Sequence, residues 1–182
     1  MAIPTFYTER LVLKQVTEAD IPSYQKHFNN YEIIKHLNSN VPWPYPNNGV
    51  EEHLKTTVFP SNGISNWHWG IYLRSNNSEL IGCIGLVRDG SPENRGFWLA
   101  QKYWNRGIMS EALEPITNFA FSELGFEKLV LSNAKGNIAS RRLKEKAGAI
   151  LIETVPYSFV EKSYKESEVW HLTKHNWQHR ES

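Results

Sequence analysis

The chain has 182 residues and is nearly neutral, with 20 Lys and Arg against 19 Asp and Glu. That balance excludes a dedicated basic nucleic-acid face and an acidic disordered tail, while 40% hydrophobic residues suffice for a full core in a single domain spanning residues 1–182. One cysteine, Cys83, excludes an intrachain disulfide, and neither a leader-like N-terminus nor a bilayer-length apolar run is visible, so a cytoplasmic protein without membrane or nucleic-acid partners is expected.

In chain order, Thr8–Lys14 (TERLVLK) alternates Leu11 and Leu13 with Arg10, Val12 and Lys14, which predicts a strand. Thr17 then reads as a helix cap, with Glu18 and Asp20 in the first turn, and the helix is expected to end at Asn29-Asn30. A short helix is predicted over Tyr31–Leu37. Pro42, Pro44 and Pro46 make the next segment a stiff loop carrying Trp43 and Tyr45. Those two aromatics either pack on the core or face a substrate. Helix Val50–Val58 follows. Trp67–Arg74 and Glu79–Val87 read as a hairpin around Ser75–Ser78, and Gly82 and Gly85 thin the cover of its second strand, where a backbone or a ligand can come close. Arg95–Ala100 is a third strand.

Beyond it the period changes from two to 3.6. Ile108, Ala112, Ile116, Phe119, Ala120 and Leu124 predict a helix over Gly107–Leu124, closed by Gly125. A strand over Phe126–Leu131 leads to a helix over Asn137–Ala147, closed by Gly148. Ile150–Pro156 and Val169–Thr173 read as final strands. The order is mixed α and β around an antiparallel meander.

Two stretches could carry chemistry. In Trp98–Ala112 (WLAQKYWNRGIMSEA) a strand ends, Asn105-Arg106-Gly107 turns, and a helix opens. The first amides of a helix lack intrahelical partners and lie at its positive dipole end, a combination that binds phosphate. Taken alone, an Arg-Gly before a helix is ordinarily a plain turn. No GxxxxGK[ST] or GxGxxG run is present, which excludes the nucleotide-triphosphate loop and the dinucleotide fingerprint. The second stretch, Asn137–Gly148 (NIASRRLKEKAG), again opens a helix after a strand, with Asn137 as a candidate cap.

Together with TERLVLK, the strand Leu80–Leu86 (LIGCIGL) and the ending Leu172–Trp177 (LTKHNW), these segments resemble the GNAT superfamily of acyl-CoA N-acyltransferases. The likeness is greatest to the RimJ/RimL branch, which acetylates ribosomal-protein N-termini. The resemblance implies an α+β GNAT fold: a twisted, mostly antiparallel sheet of about seven strands, splayed in the middle and flanked by about four helices. It implies acetyl-CoA as co-substrate, no metal, and an amine acceptor, either a peptide N-terminus or a small molecule. It leaves monomer and homodimer both open.

By the same resemblance, a bulged strand would offer backbone groups of Trp98, Leu99 and Ala100 to the pantetheine arm. The loop Trp104, Asn105, Arg106, Gly107, Ile108, Met109 and Ser110 would hold the pyrophosphate. Asn137 would touch the pantetheine, and Ser140 would stand near the sulfur and protonate the departing thiolate. Met109 is bulkier than the small residue usual in that loop, and this favours the competing reading of a module that binds acyl-CoA without turnover. Where many members carry a tyrosine acid, this chain has Lys144, read with Arg141 and Arg142 as solvated. Asp89, Glu93, Glu153 and Glu161 are the candidate bases, each ordinarily a surface charge. The acceptor would meet Trp43, Tyr45, the Asp89–Asn94 loop and Tyr157. An α-amine is neutral far more readily than a lysine, whose deprotonation at pH 7 costs roughly 3–4 kcal/mol more than an α-amine's. Cys83 reads as a small buried thiol, and His171, His175 and His179, spaced by four, as unrelated to any metal.

Overall fold

A computed structural model describes residues 1–181. Eight strands form two sheets. The first runs β1 (Phe6–Tyr7), β2 (Leu11–Gln15), β3 (Asn66–Leu73), β4 (Gly82–Val87) and β5 (Arg95–Leu99) in sequence order, antiparallel throughout. The second places β8 (Glu166–Thr173) between β6 (Lys128–Ala134) and β7 (Ile150–Pro156), both antiparallel to it. Six α-helices accompany them: α1 (Ile21–Phe28), α2 (Tyr31–Ile34), α3 (Gly49–His53), α4 (Ile108–Ser122), α5 (Ile138–Lys146) and α6 (Lys174–Gln178). The expected mixed architecture with a split sheet is present. The elements it omitted are short, namely the two-residue β1 and the five-residue α6.

Alternation along the strands sorts the first sheet's side chains between two layers. Leu11, Leu13, Trp69, Ile71 and Ile84 meet Ile116, Phe119 and Ala120 of α4 on one face. Val12, Tyr72, Cys83 and Trp98 meet Tyr24 of α1 and Val50 and Leu54 around α3 on the other. Many of the aromatics have this work: Phe6, Trp69 and Phe119 form one cluster, and Tyr24, Phe28 and Trp98 another.

Some boundaries move for local reasons. The turn after Thr17 is tight rather than α-helical, because the Thr17 amide donates to the Asp20 carboxylate (2.7 Å), and α1 opens at Ile21 with Pro22 in its first turn. β6 continues past Leu131 to Ala134, since β8 pairs with it as far as Ser167. The two strand glycines admit protein rather than ligand. A Cβ at Gly82 would stand 2.6 Å from the Trp98 carbonyl, and one at Gly85 would stand 2.6 Å from the His68 ring.

Candidate active site

The two sheets meet at Asn94. Its amide donates to the Val130 carbonyl (2.8 Å), and its side-chain carbonyl accepts from the Val130 amide (2.8 Å). Its side-chain amide also holds the carbonyls of Val87 and Arg88, so the rivet is fixed from three sides. Beyond this tie no ladder joins β5 to β6 among the described residues, which leaves a gap beside β5.

The β4–β5 register is unbroken from Leu86↔Arg95 to Gly82↔Leu99, and Ala100 continues it by donating to the Ile81 carbonyl (2.8 Å). The expected bulge is therefore absent. Antiparallel alternation turns the backbone groups of Gly96, Trp98 and Ala100 toward β4 and those of Phe97 and Leu99 toward the gap. Of the expected trio, only Leu99 faces it, and the Leu99 carbonyl already accepts from Trp104 Nε1 (2.7 Å). Free for an extended, amide-bearing ligand are the Leu99 amide and both groups of Phe97. Trp98 is buried against Tyr24 and Phe28, on the face away from α4.

After β5 a short turn over Gln101–Tyr103 leads into the loop before α4. Asn105 and Gly107 both adopt left-handed backbone, with φ of 59° and 72°. The Trp104 amide donates to Gln101 and the Glu111 amide to Gly107, whereas none of the amides from Asn105 to Ser110 has a partner among the described residues. Six consecutive free donors at the N-terminus of a 15-residue helix suit an anion such as a pyrophosphate. Met109 does not crowd them, because its side chain is buried in the core beside Ile108 and Ala112. The Ser110 hydroxyl is held by Lys146 Nζ of α5 (3.1 Å). The N-terminal segment fixes the loop. Glu111 accepts from the Thr8 hydroxyl (2.6 Å), the Arg10 amide (2.8 Å) and Arg10 Nε (2.7 Å), and Arg10 Nη1 donates to the Arg106 carbonyl (2.8 Å).

Across the gap, Asn137 caps α5: its side-chain oxygen accepts from the Ser140 amide (3.2 Å). Ser140 is buried, and Lys144 one turn later is 2% exposed. Reading Lys144 as solvated is thus corrected. Ser140 and Lys144 lie on the inward face of α5, with Ala147 buried at its C-cap, and a helix position commits a side chain to its face whatever its charge. Lys144 Nζ donates to Ser140 Oγ at 2.7 Å. Burial, and then the Arg95 guanidinium, lower its pKa to about 7, against the opposing pull of Glu93 and Glu168. Phe97 lies beneath both cations, with ring centroids 5.8 Å from Lys144 and 5.7 Å from Arg95. Arg142 is exposed, as expected, whereas Arg141 binds the buried Glu168 (2.7 Å).

Glu93 is likewise no solvated charge. It accepts from the Ser132 amide (3.1 Å) and hydroxyl (2.9 Å) of β6, and burial raises its pKa. Asp89 and Glu153 are exposed. Glu161 accepts from the Ser163 amide (3.0 Å) and the Tyr31 hydroxyl (3.0 Å), contacts that hold its carboxyl below the usual range.

An open cleft of about 560 Å³ lies at the end of β5, lined by Ala100, Gln101, Lys102, Lys26, Tyr31 and Trp43, among others. Trp43 faces it beside Tyr31, their rings 5.2 Å apart. Tyr45 instead packs edge-on against Phe28. The Asp89–Asn94 loop stands at the opposite end of β5 from this cleft. Tyr157 accepts from Asn38 (2.8 Å), in a clasp where Ser39, Val160 and Glu161 join the segment after α2 to the loop before β8. The Cys83 thiol is buried and pushed up to about 12, by burial first, as an inert core residue would be. Among the described residues no group of three or more His, Cys, Asp or Glu could hold a metal, and no helix is long and apolar enough to cross a membrane.

Residues 10–150 match the family described as "Acetyltransferase (GNAT) domain". The uncharacterized N-acetyltransferase YoaA of Bacillus subtilis (strain 168) is 28% identical over 149 residues, 80% of this chain and 82% of its own. The ribosomal-protein-S5-alanine acetyltransferase from Vibrio fischeri superposes with a TM-score of 0.79 at 13% identity, over 96% of this chain and 98% of that one. RimL, the ribosomal L7/L12 alpha-N-protein acetyltransferase solved with coenzyme A, gives 0.77 at 14% identity, over 93% and 98%. A split sheet with a free-amide helix start on one side of the gap and a buried serine on the other thus has its place: the chain belongs to the GNAT family of acetyltransferases and is an acyltransferase.

Proposed function

We propose that this protein moves an acetyl group from acetyl-CoA directly to the α-amine of a peptide. The observation that carries the reading is the juxtaposition at the gap: free amides from Asn105 to Ser110 for the pyrophosphate, Phe97 and Leu99 backbone groups for the pantetheine, and Ser140 on the facing helix. In this reading Ser140 gives its hydroxyl proton to the leaving thiolate. Trp104 and Arg10 keep the loop in shape, and Asn137 sets the first turn of α5.

The character of the acceptor follows from the open cleft. Its charged side chains are Lys26 and Lys102, with no carboxylate in the lining itself, while Glu79 behind it meets Lys26 (3.5 Å) and His27 (2.8 Å). Such a wall offers polyamines and aminoglycosides no anionic anchor, and an open trough accepts a chain end more readily than a closed pocket does. Neutral α-amines also need less help to lose a proton than lysines do. The neighbours named as ribosomal-protein acetyltransferases point the same way. Glu161, ionised and bonded to the Tyr31 that lines the cleft, is the carboxylate best placed to receive the amine proton, directly or through water.

The test is thiol release from acetyl-CoA with peptides beginning in Ala or Ser, set against free amino acids, polyamines and aminoglycosides. We expect kcat/KM at least tenfold higher for the peptides. Preference for any of the small amines, or no release with any acceptor, overturns the reading. Ser140→Ala should bind CoA normally and lower kcat by tenfold or more.

A further inference from the structure

Lys144 is charge-bearing, almost wholly buried, and bonded to the one hydroxyl that the transfer reaction is proposed to use. A lysine spared for structure would bury its stem and lift its ammonium to solvent. Here the Nζ atom lies inside, 2.7 Å from Ser140 Oγ and 3.5 Å from the Ser140 carbonyl, with no carboxylate of the described residues within ion-pairing distance. Its other surroundings are equally specific. Arg95 of β5 is 3% exposed, and its Nε and Nη2 have no partner among the described residues. Glu93, in the loop before β5, is spent on Ser132. Glu168 of β8 is spent on Arg141 and Asn133. Those three groups, with Ser140, are what faces the Lys144 amine from β5, its preceding loop, β8 and α5.

The consequence is a short donor chain. As an ammonium, Lys144 donates to Ser140 Oγ, so the Ser140 proton is free to point elsewhere. Lys144 Nζ itself lies 5.8 Å from the ring of Phe97, the residue whose backbone faces the gap. We infer that Lys144 is a positioning and proton-supplying residue for Ser140, making a Ser140–Lys144 pair the source of the proton that the departing thiolate takes up. The inference deepens the Ser140 reading above and rests on it.

The balance is simple. The acceptor amine forms its bond to the acetyl carbon, and the carbon–sulfur bond breaks with its electron pair on sulfur. The Ser140 O–H proton passes to that sulfur, and a Lys144 N–H proton passes to Ser140 Oγ. Lys144 is left as a neutral amine and regains one proton from solvent, while the acceptor nitrogen gives one up to its base. No oxidant, reductant or metal enters. Because burial and Arg95 bring the Lys144 pKa to about 7, the proton is available near neutral pH and a neutral product form is tolerated in the interior.

The test uses the intact chain with Lys144→Met, Lys144→Arg, Ser140→Ala and the double variant Ser140→Ala/Lys144→Met. Two readouts are taken. The first is kcat against pH by thiol release. The second is CoA binding by calorimetry in two buffers of different ionisation heat, which counts protons exchanged on binding without any turnover. We expect a fall in wild-type kcat as pH rises through about 7–8, absent from both Lys144 variants. Lys144→Met should lose about tenfold in kcat with less than threefold change in the acetyl-CoA KM. Lys144→Arg, which keeps a charged donor, should retain most of kcat at pH 6. Proton exchange on CoA binding near pH 7 should vanish in both variants. The double variant should be no slower than Ser140→Ala alone, since the lysine acts through the serine. Persistence of the alkaline fall in Lys144→Met or Lys144→Arg, unchanged proton exchange, or a double variant slower than Ser140→Ala by the full Lys144→Met factor would overturn the inference. Should Lys144→Met fail to fold, Lys144→Arg carries the same pH and proton-exchange tests. Wild-type activity in Ser140→Ala identifies the separate failure of the serine reading.

Discussion

Trp104 Nε1 donates to the Leu99 carbonyl at 2.7 Å, closing the corner between β5 and the loop that opens α4. One of the backbone groups facing the gap is thereby occupied before any ligand arrives, and the path from strand to helix is pinned at its sharpest point. Trp104→Phe keeps an aromatic ring, a smaller one, and removes the donor. A lost neutral hydrogen bond is worth about 0.5–1.5 kcal/mol, so the acetyl-CoA KM should rise about threefold to tenfold with kcat changed less. Steady-state thiol release checks both parameters.

Glu111 receives three donors from the N-terminal segment, one of them charged. The Arg10 side chain is 43% exposed, which screens the ionic part of the contact, but the two short bonds from Thr8 and the Arg10 amide remain. Glu111→Ala should lower stability by about 1–2 kcal/mol in urea unfolding and raise the acetyl-CoA KM, because Arg10 also holds the Arg106 carbonyl of the loop.

Lys144 also sets a pH dependence of stability. Its folded pKa, about 7, lies below the ordinary lysine value. Between the two the unfolded chain binds a proton that the folded chain does not, so this group makes stability rise as pH climbs from about 7 toward 10. Lys144→Met should abolish that rise and be more stable than wild type at pH 7 by about 1–3 kcal/mol. Thermal unfolding at pH 7 and pH 10 measures the difference.

His68 behaves in the opposite pH range. Burial first, and then His53, lower its pKa to about 4. Between that value and the unfolded value near 6.5 the unfolded state takes up a proton and the folded state does not. Stability is therefore present above 6.5 and lost as pH falls toward 4. His68→Gln should flatten this acid loss.

The Gly85 Cβ position lies 2.6 Å from the same ring. Gly85→Ala should cost about 1–3 kcal/mol in wild type. The cost should fall sharply in a His68→Ala background, and a double-mutant cycle by urea unfolding reads the coupling.

The parts of the fold legible in the sequence were those governed by local period. Ile108, Ile116 and Ala120 announced α4, and the alternation around Leu11 and Leu13 announced β2, because burial on one face leaves a repeat in the residues themselves. The turn before α4 was legible too, from Asn105-Arg106-Gly107 ahead of a helical run, but its reading as an anion site came from the resemblance, because alone that sequence is an ordinary turn. The backbone that faces the gap was not. Whether Trp98 or Phe97 points there depends on which groups β4 occupies, and Ala100 pairing with Ile81 decides it from a different strand. Lys144 was half legible. The cap at Asn137 fixes the frame in which Ser140 and Lys144 share a face, but a lysine is expected outside, and only the helix geometry overrules that expectation. Glu93 was illegible, for its partner Ser132 belongs to the other sheet.

The bond between Glu111 and the segment Thr8–Arg10 ties together positions about a hundred residues apart. The loop that offers its amides is therefore not a self-sufficient local motif. It takes its shape only when the two ends of that long span have met, and loop closure over such a distance is slow and entropically unfavourable until the sheet between them exists. Ligand competence should accordingly be among the last properties acquired on refolding. A chain shortened past Arg10 should retain most of its helix and sheet while losing much of its affinity for CoA.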